Sequence, residues 1–118
     1  MSNDTAGAEM SLRDQQIKFA RLVPRLIDKA VELGYGVTLG DAYRDPRATY
    51  GSEVSLHKSR LAIDLNLFAR EGEGWTYLAR TADHRPLGEW WEQQDPDCAW
   101  GGRWGDGNHY SLQYEGRK

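Results

Sequence analysis

The sequence carries a single cysteine, Cys98. No disulfide can form within the chain, so the fold rests on its core, to which a bound metal would add stability. No apolar run approaches the roughly 18 residues of a membrane span. There is no basic excess. Fifteen Lys and Arg against 18 Asp and Glu give a net charge of −3, which argues against nucleic acid or an anionic membrane as a stable partner. Residues 1–10 lack the basic start and apolar core of a Sec signal peptide, so synthesis in a cytoplasm is expected. Internal repeats and low-complexity tracts are missing as well.

What remains is the composition of an ordinary small globular chain. It has 118 residues, 39% hydrophobic and 28% charged, which suits one domain. Residues 1–10 are small and polar and read as a disordered N-terminus; residues 11–118 read as the single domain. Five Trp and six Tyr are many for this length. They suit a small core, or a groove for a polar, extended ligand.

Ser11 to Asp14 reads as a helix start with a capping box in which Asp replaces the usual Glu. Apolar positions from Ile17 to Leu33 keep helical spacing up to Gly34, a good stop. Pro24 interrupts them, and a kink or a restart is expected there. Tyr35 to Leu39 alternates as a strand, and Gly40 to Gly51 reads as loop or short helix. Ala62 to Phe68 is the best strand: Ile63, Leu65 and Leu67 share one face, and Asp64, Asn66 and Phe68 the other. A turn over Arg70 to Gly74 leads to a returning strand at Trp75 to Ala79. Pro86 opens a short helix to about Gln93. A glycine-rich loop, Gly101 to Gly107, precedes a final strand, Asn108 to Tyr114. The pattern is α+β: a small antiparallel sheet with helices packed on one side.

Two polar clusters carry the chemistry. The first is Ser55-x-His57-x6-Asp64; the second is Trp100-Gly101-Gly102-x-Trp104-x-Asp106-x-x-His109. Two His and one Asp suffice for a catalytic zinc site, with the second Asp left over as a base beside a water. Each residue also has a plainer reading. His57 and Asp64 suit a polar network, Asp106 an Asx-turn with Gly107, and His109 a half-buried strand position. Arg44 is a planar fork suited to a carboxylate or oxyanion, or to an ion pair with Asp41 or Asp45. Ser55 reads as a turn residue within reach of the same pocket. His84 reads as solvated at a helix start, and Cys98 as a small buried residue.

The combination of motifs resembles the LAS-type zinc peptidases: D-alanyl-D-alanine carboxypeptidases, D-alanyl-D-alanine dipeptidases, and phage endolysins that are L-alanyl-D-glutamate peptidases. Gly34-Tyr35-x-Val37-Thr38-Leu39-Gly40-x-x-x-Arg44 and Leu61 to Phe68 are most similar to the endolysin branch. The resemblance implies a D-Ala-D-Ala-peptidase-like fold with Zn2+ on its sheet. It makes His57, Asp64 and His109 the metal ligands and Asp106 the general base, where many relatives carry Glu. It makes Arg44 the support for substrate and transition state, and Ser55 a residue lining the substrate site. Tyr110 stands where Phe is common. The implied activity is hydrolysis of the L-Ala–D-Glu bond of the peptidoglycan stem peptide, leading to wall lysis. The implied setting is a monomer kept in the host cytoplasm until a holin admits it to the periplasm. The alternatives are D-Ala-D-Ala carboxypeptidase or dipeptidase activity, and a non-catalytic wall-binding module.

Overall fold

The structure, a computed structural model, describes residues 11–43, 45, 47 and 55–118. The expected disorder of residues 1–10, half of the segment from Gly40 to Gly51, and Arg44 lie outside the described residues.

Helix α1 spans Leu12–Glu32. Ser11 Oγ accepts from the Asp14 amide at 3.1 Å, satisfying a donor that the first turn leaves unpaired. Phe19, Leu22, Leu26 and Ala30 form its buried face, spaced three or four residues apart as a helix demands. The helix does not restart at Pro24. Pro24 and Ala20, whose carbonyl loses its donor to the proline, are both exposed, so water can take the place of the missing hydrogen bond. At the far end Gly34 adopts φ +93°. The Gly34 amide bonds Val31 O at 2.9 Å and the Tyr35 amide bonds Ala30 O at 3.0 Å, a Schellman stop.

The sheet follows. Strand β1 is Gly36–Leu39, β2 is Ala62–Glu71 and β3 is Gly74–Tyr77. Helix α2 is Arg85–Glu92, β4 is Cys98–Trp100 and β5 is His109–Leu112. The order is β1-β2-β5-β4, every pairing is antiparallel, and β3 also pairs with β2. Phe68 pairs with both Gly36 and Tyr77, so β1 and β3 flank β2 on opposite edges. The expected turn over Arg70 to Gly74 shrinks to Gly72-Glu73, because β2 runs on to Glu71, which pairs with Gly74. Gly72 supplies the positive φ that the hairpin needs.

Burial alternates along β2. Ile63, Leu65 and Leu67 enter the core, whereas Asp64, Asn66 and Phe68 are only half-buried on the opposite face. Both helices pack on the core face. Trp91 of α2 meets Phe19 of α1 and Tyr110 of β5 edge to face, at 6.1 and 6.4 Å. Its indole donates to the Ala99 and Ser111 carbonyls, both at 3.1 Å. The fold is thus the expected α+β arrangement, with one sheet face under helices and the other bearing polar side chains.

Candidate metal centre

Sheet register brings the first two site residues together. Asp64 of β2 lies directly opposite His109 of β5. The Leu65 amide bonds Asn108 O at 2.9 Å, which makes Asp64 and His109 a pair without mutual backbone hydrogen bonds. Such pairs hold their side chains closer than the alternate kind.

A short 3-10 turn, Leu56–Ser59, delivers the third residue. Fully buried Leu56 anchors it, and Ser55 Oγ caps it by accepting from the His57 amide at 3.2 Å. Arg60, at φ 57°, closes it. His57 is 3% exposed and points Nε2 at Asp64 Oδ1, 3.1 Å away. His109 is 5% exposed, and its Nδ1 lies 3.9 Å from the same oxygen. The two imidazoles meet at 5.2 Å and 79°.

These three residues fit a zinc ion. Their ligand atoms all lie within 4.8 Å of one another. Zinc bonds of about 2.0–2.2 Å in a tetrahedron put neighbouring ligand atoms roughly 3.4 Å apart, a value that falls between the two measured separations from Asp64 Oδ1. Two imidazoles and one carboxylate also match the donor set of catalytic zinc, which keeps a fourth position open. Among the described residues they form the one group of three or more His, Cys, Asp or Glu side chains with this convergence. His57 Nδ1 is buried with no hydrogen-bond partner, so the ring is directed by Nε2 and by packing.

Asp106 stands at the rim. Its Oδ2 is 3.8 Å from His109 Nδ1, and its side chain is half-exposed. A second 3-10 turn, Gly101–Trp104, replaces the first half of the expected loop. The Asp106 amide bonds Gly101 O at 2.8 Å, and the His109 amide bonds Asp106 O at 3.1 Å. The turn closes this tightly because residue 101 has no side chain: a Cβ there would overlap the Asp106 carbonyl and come 2.7 Å from His109 Cβ. Trp100 braces the loop from behind through an Nε1 bond to Gly107 O at 2.7 Å. Arg103 forks onto Glu92 of α2 at 2.9 and 2.6 Å. Trp104 lays a half-exposed ring edge-on to His109 at 5.5 Å and so walls the centre, whereas Trp90 packs at the edge of the core.

The structure therefore gathers His57, Asp64, His109 and Asp106, and it gives Ser55 a capping role beside them. Arg44 falls outside the described residues. Asp45, one of its two candidate ion-pair partners, is engaged by Arg47 at 2.7 Å. His84 is not solvated. It is 3% exposed, and its Nδ1 lies 2.8 Å from the Tyr110 hydroxyl. Burial pushes its imidazole below the ordinary 6.5, against the charge of Asp83. Cys98 is buried as expected, and burial pushes its thiol up to about 12, which leaves little thiolate for chemistry. Trp100 and Gly101 stood in the second sequence cluster without a role, and the structure supplies one for each: the brace behind the loop and the close approach beneath it.

The family model for D-alanyl-D-alanine carboxypeptidase matches residues 49–112. That is over half of the chain, and the matched segment contains all three convergent residues and Asp106. Comparison with curated proteins finds no match. The cluster on the open sheet face and the matched segment coincide, and the chain belongs to the LAS-type zinc peptidase family.

Proposed function

We propose that this peptidoglycan-directed peptidase is a zinc endopeptidase of the phage endolysin type, cleaving the L-Ala–D-Glu bond of the stem peptide. The observation that carries the reading is the convergence of His57, Asp64 and His109, with Asp106 at 3.8 Å from His109 on the open side. His57 Nε2, Asp64 Oδ1 and His109 Nδ1 are the atoms that would hold the ion. Zinc bound there supplies a Lewis acid that polarises the scissile carbonyl and acidifies water toward neutrality.

The remaining work falls to the chain. Asp106 takes the proton of the attacking water and returns it to the departing amine as the C–N bond breaks, so the carboxylate ends as it began. Its half-exposed position leaves room for substrate at the rim. Ser55 Oγ spends a lone pair on the His57 amide, and its hydroxyl proton can be given to a substrate carbonyl. Arg44 is assigned to the oxyanion as a permanent cation. In this reading the protein acts as a monomer, is stored in the host cytoplasm and meets its substrate in the periplasm after a holin opens the inner membrane.

The family model's own description favours a second bond, D-Ala–D-Ala. Mass spectrometry of Gram-negative peptidoglycan digested by zinc-loaded protein separates the two. Stem fragments beginning at D-Glu, absent from chelated and Asp106→Ala controls, support the endopeptidase. Release of free D-Ala alone moves the protein to the carboxypeptidase branch. Zinc binding with no product from either bond puts a wall-binding module first.

A further inference from the structure

The face of β2 that bears Asp64 continues away from the metal centre. Asn66, Phe68 and Arg70 follow on it by alternation, and the β1–β2–β3 register has no bulge to break that sequence. Asn66 Nδ2 donates to Thr38 Oγ1 of β1 at 3.2 Å. Beyond them Phe68 meets Tyr77 at 5.4 Å. Trp75 leans across from β3, its ring atoms 3.0 Å from where a Gly36 Cβ would stand. The Arg70 guanidinium lies 5.0 Å from the Trp75 ring. A cavity of about 440 Å³ opens here, lined by Gly36, Val37, Thr38, Phe68 and Trp75. Trp75 and Tyr77 are each about half exposed, at 51% and 53%.

Two large aromatic rings left half in water on β3, beside the strand that leads out of the metal centre, form an exposed apolar patch suited to an occupant. We infer that this groove binds the N-acetylated sugars of the glycan strand from which the stem peptide hangs, an assignment that rests on the peptidoglycan-peptidase reading. Three observations favour sugar over more peptide. The five residues that line the cavity carry no charge, and the one cation named beside it, Arg70, is stacked on the Trp75 ring, whereas the stem peptide beyond its first alanine is rich in carboxylates. Phe68 is paired on both edges, so β2 offers no free backbone there for an added peptide strand. Half-exposed aromatic rings near the Thr38 hydroxyl and the Asn66 amide suit a pyranose, which presents apolar C–H faces and a polar rim.

Distance agrees. Phe68 lies four residues from Asp64, about 13 Å along a strand rising roughly 3.3 Å per residue. From an L-Ala–D-Glu carbonyl, the alanine and the lactyl ether to the first sugar span about 7 Å when extended. The first ring would then lie short of Phe68 and the next one over it. From a D-Ala–D-Ala bond the same path adds three residues, one of them linked through its γ-carboxyl, and comes to about 20 Å, past Phe68. The groove thus matches a sugar attached close to the scissile bond. Trp75 acts here as a specificity residue remote from the reacting atoms.

Two measurements test this. The first is amide NMR of the full zinc-loaded chain titrated with tri-N-acetylchitotriose. Shifts at Gly36 to Thr38, Phe68 and Trp75, weakened about tenfold in affinity by Trp75→Ala and restored by Trp75→Phe, are expected. No shift in this region up to the solubility of the sugar overturns the assignment, as does binding that Trp75→Ala leaves intact. The second compares a disaccharide-bearing stem peptide with the same peptide free of sugar. The ratio of their kcat/KM values is expected to fall about tenfold in Trp75→Ala; an unchanged ratio overturns the assignment. Sugar binding in the groove by a protein that cleaves neither substrate supports the groove and removes the peptidase reading, so the two fail separately.

Discussion

Asp64 and His109 face each other across the β2–β5 ladder, and Asp64 Oδ1 sits between the two imidazoles, 3.1 Å from His57 Nε2 and 3.9 Å from His109 Nδ1. One carboxylate oxygen therefore centres the cluster.

Zinc should stabilise the fold as well as activate it, because the folded chain alone gathers the three residues. At free zinc one hundred times its Kd the gain is about 2.7 kcal/mol, a rise of roughly 10 °C in Tm for a chain of this size. Calorimetry with zinc and with a chelator checks it. An unchanged Tm in Asp64→Ala, beside a shift in the parent, locates the ion at this cluster.

Asp106→Asn should keep zinc and lose turnover by about 10²–10⁴-fold, the usual contribution of a positioned acid–base group. His57→Ala should lose both. Metal content by atomic absorption, taken with kcat on a stem peptide, separates the two outcomes. Near-normal turnover in Asp106→Asn removes the assigned base.

Gly101→Ala adds one methyl where the Asp106 carbonyl already lies. Overpacking of this kind costs about 1–3 kcal/mol, and relief requires moving Asp106 or His109. Urea denaturation should show the loss, and zinc affinity should fall with it. Full affinity and stability would mean that the turn can open without disturbing the site.

His84 should make stability depend on pH. Its imidazole is held below 6.5 in the folded chain by burial, so the unfolded chain binds the proton more readily. The contribution is present above about 6.5 and is lost as pH falls through the lower, folded value. NMR titration of His84 in the zinc-free protein should show the depressed midpoint. Tyr110→Phe removes its 2.8 Å partner and should cost about 1–3 kcal/mol at neutral pH.

The parts legible in the sequence were those written in local patterns. Leu65 and Leu67 alternate with Asp64 and Asn66, so β2 and its polar face could be read directly. The roles of the histidines and aspartates came from the resemblance of the combined motifs, because spacing alone left His57 and Asp64 equally suited to a polar network. Strand β4 could not: Cys98, Ala99 and Trp100 are all buried, so no alternation marks them, and only pairing with β5 makes them a strand. His84 misleads because Asp83 and Arg85 beside it look like surface, while its partner Tyr110 arrives from a distant strand. The bracing of the loop by Trp100 depends on tertiary approach, to which single-sequence periodicity is blind.

The placement of the ligands also sets when the centre can exist. His57 and Asp64 are near neighbours in the chain, but His109 arrives only when β5 docks on β2. A partly folded chain with α1 and the β2–β3 hairpin formed owns two donors and grips an ion weakly. Long-range strand pairing is the slow kind of contact, so tight ion capture coincides with closure of the sheet. An ion held by all three residues therefore requires the β2–β5 ladder to be closed, and zinc uptake followed in time should report that closure.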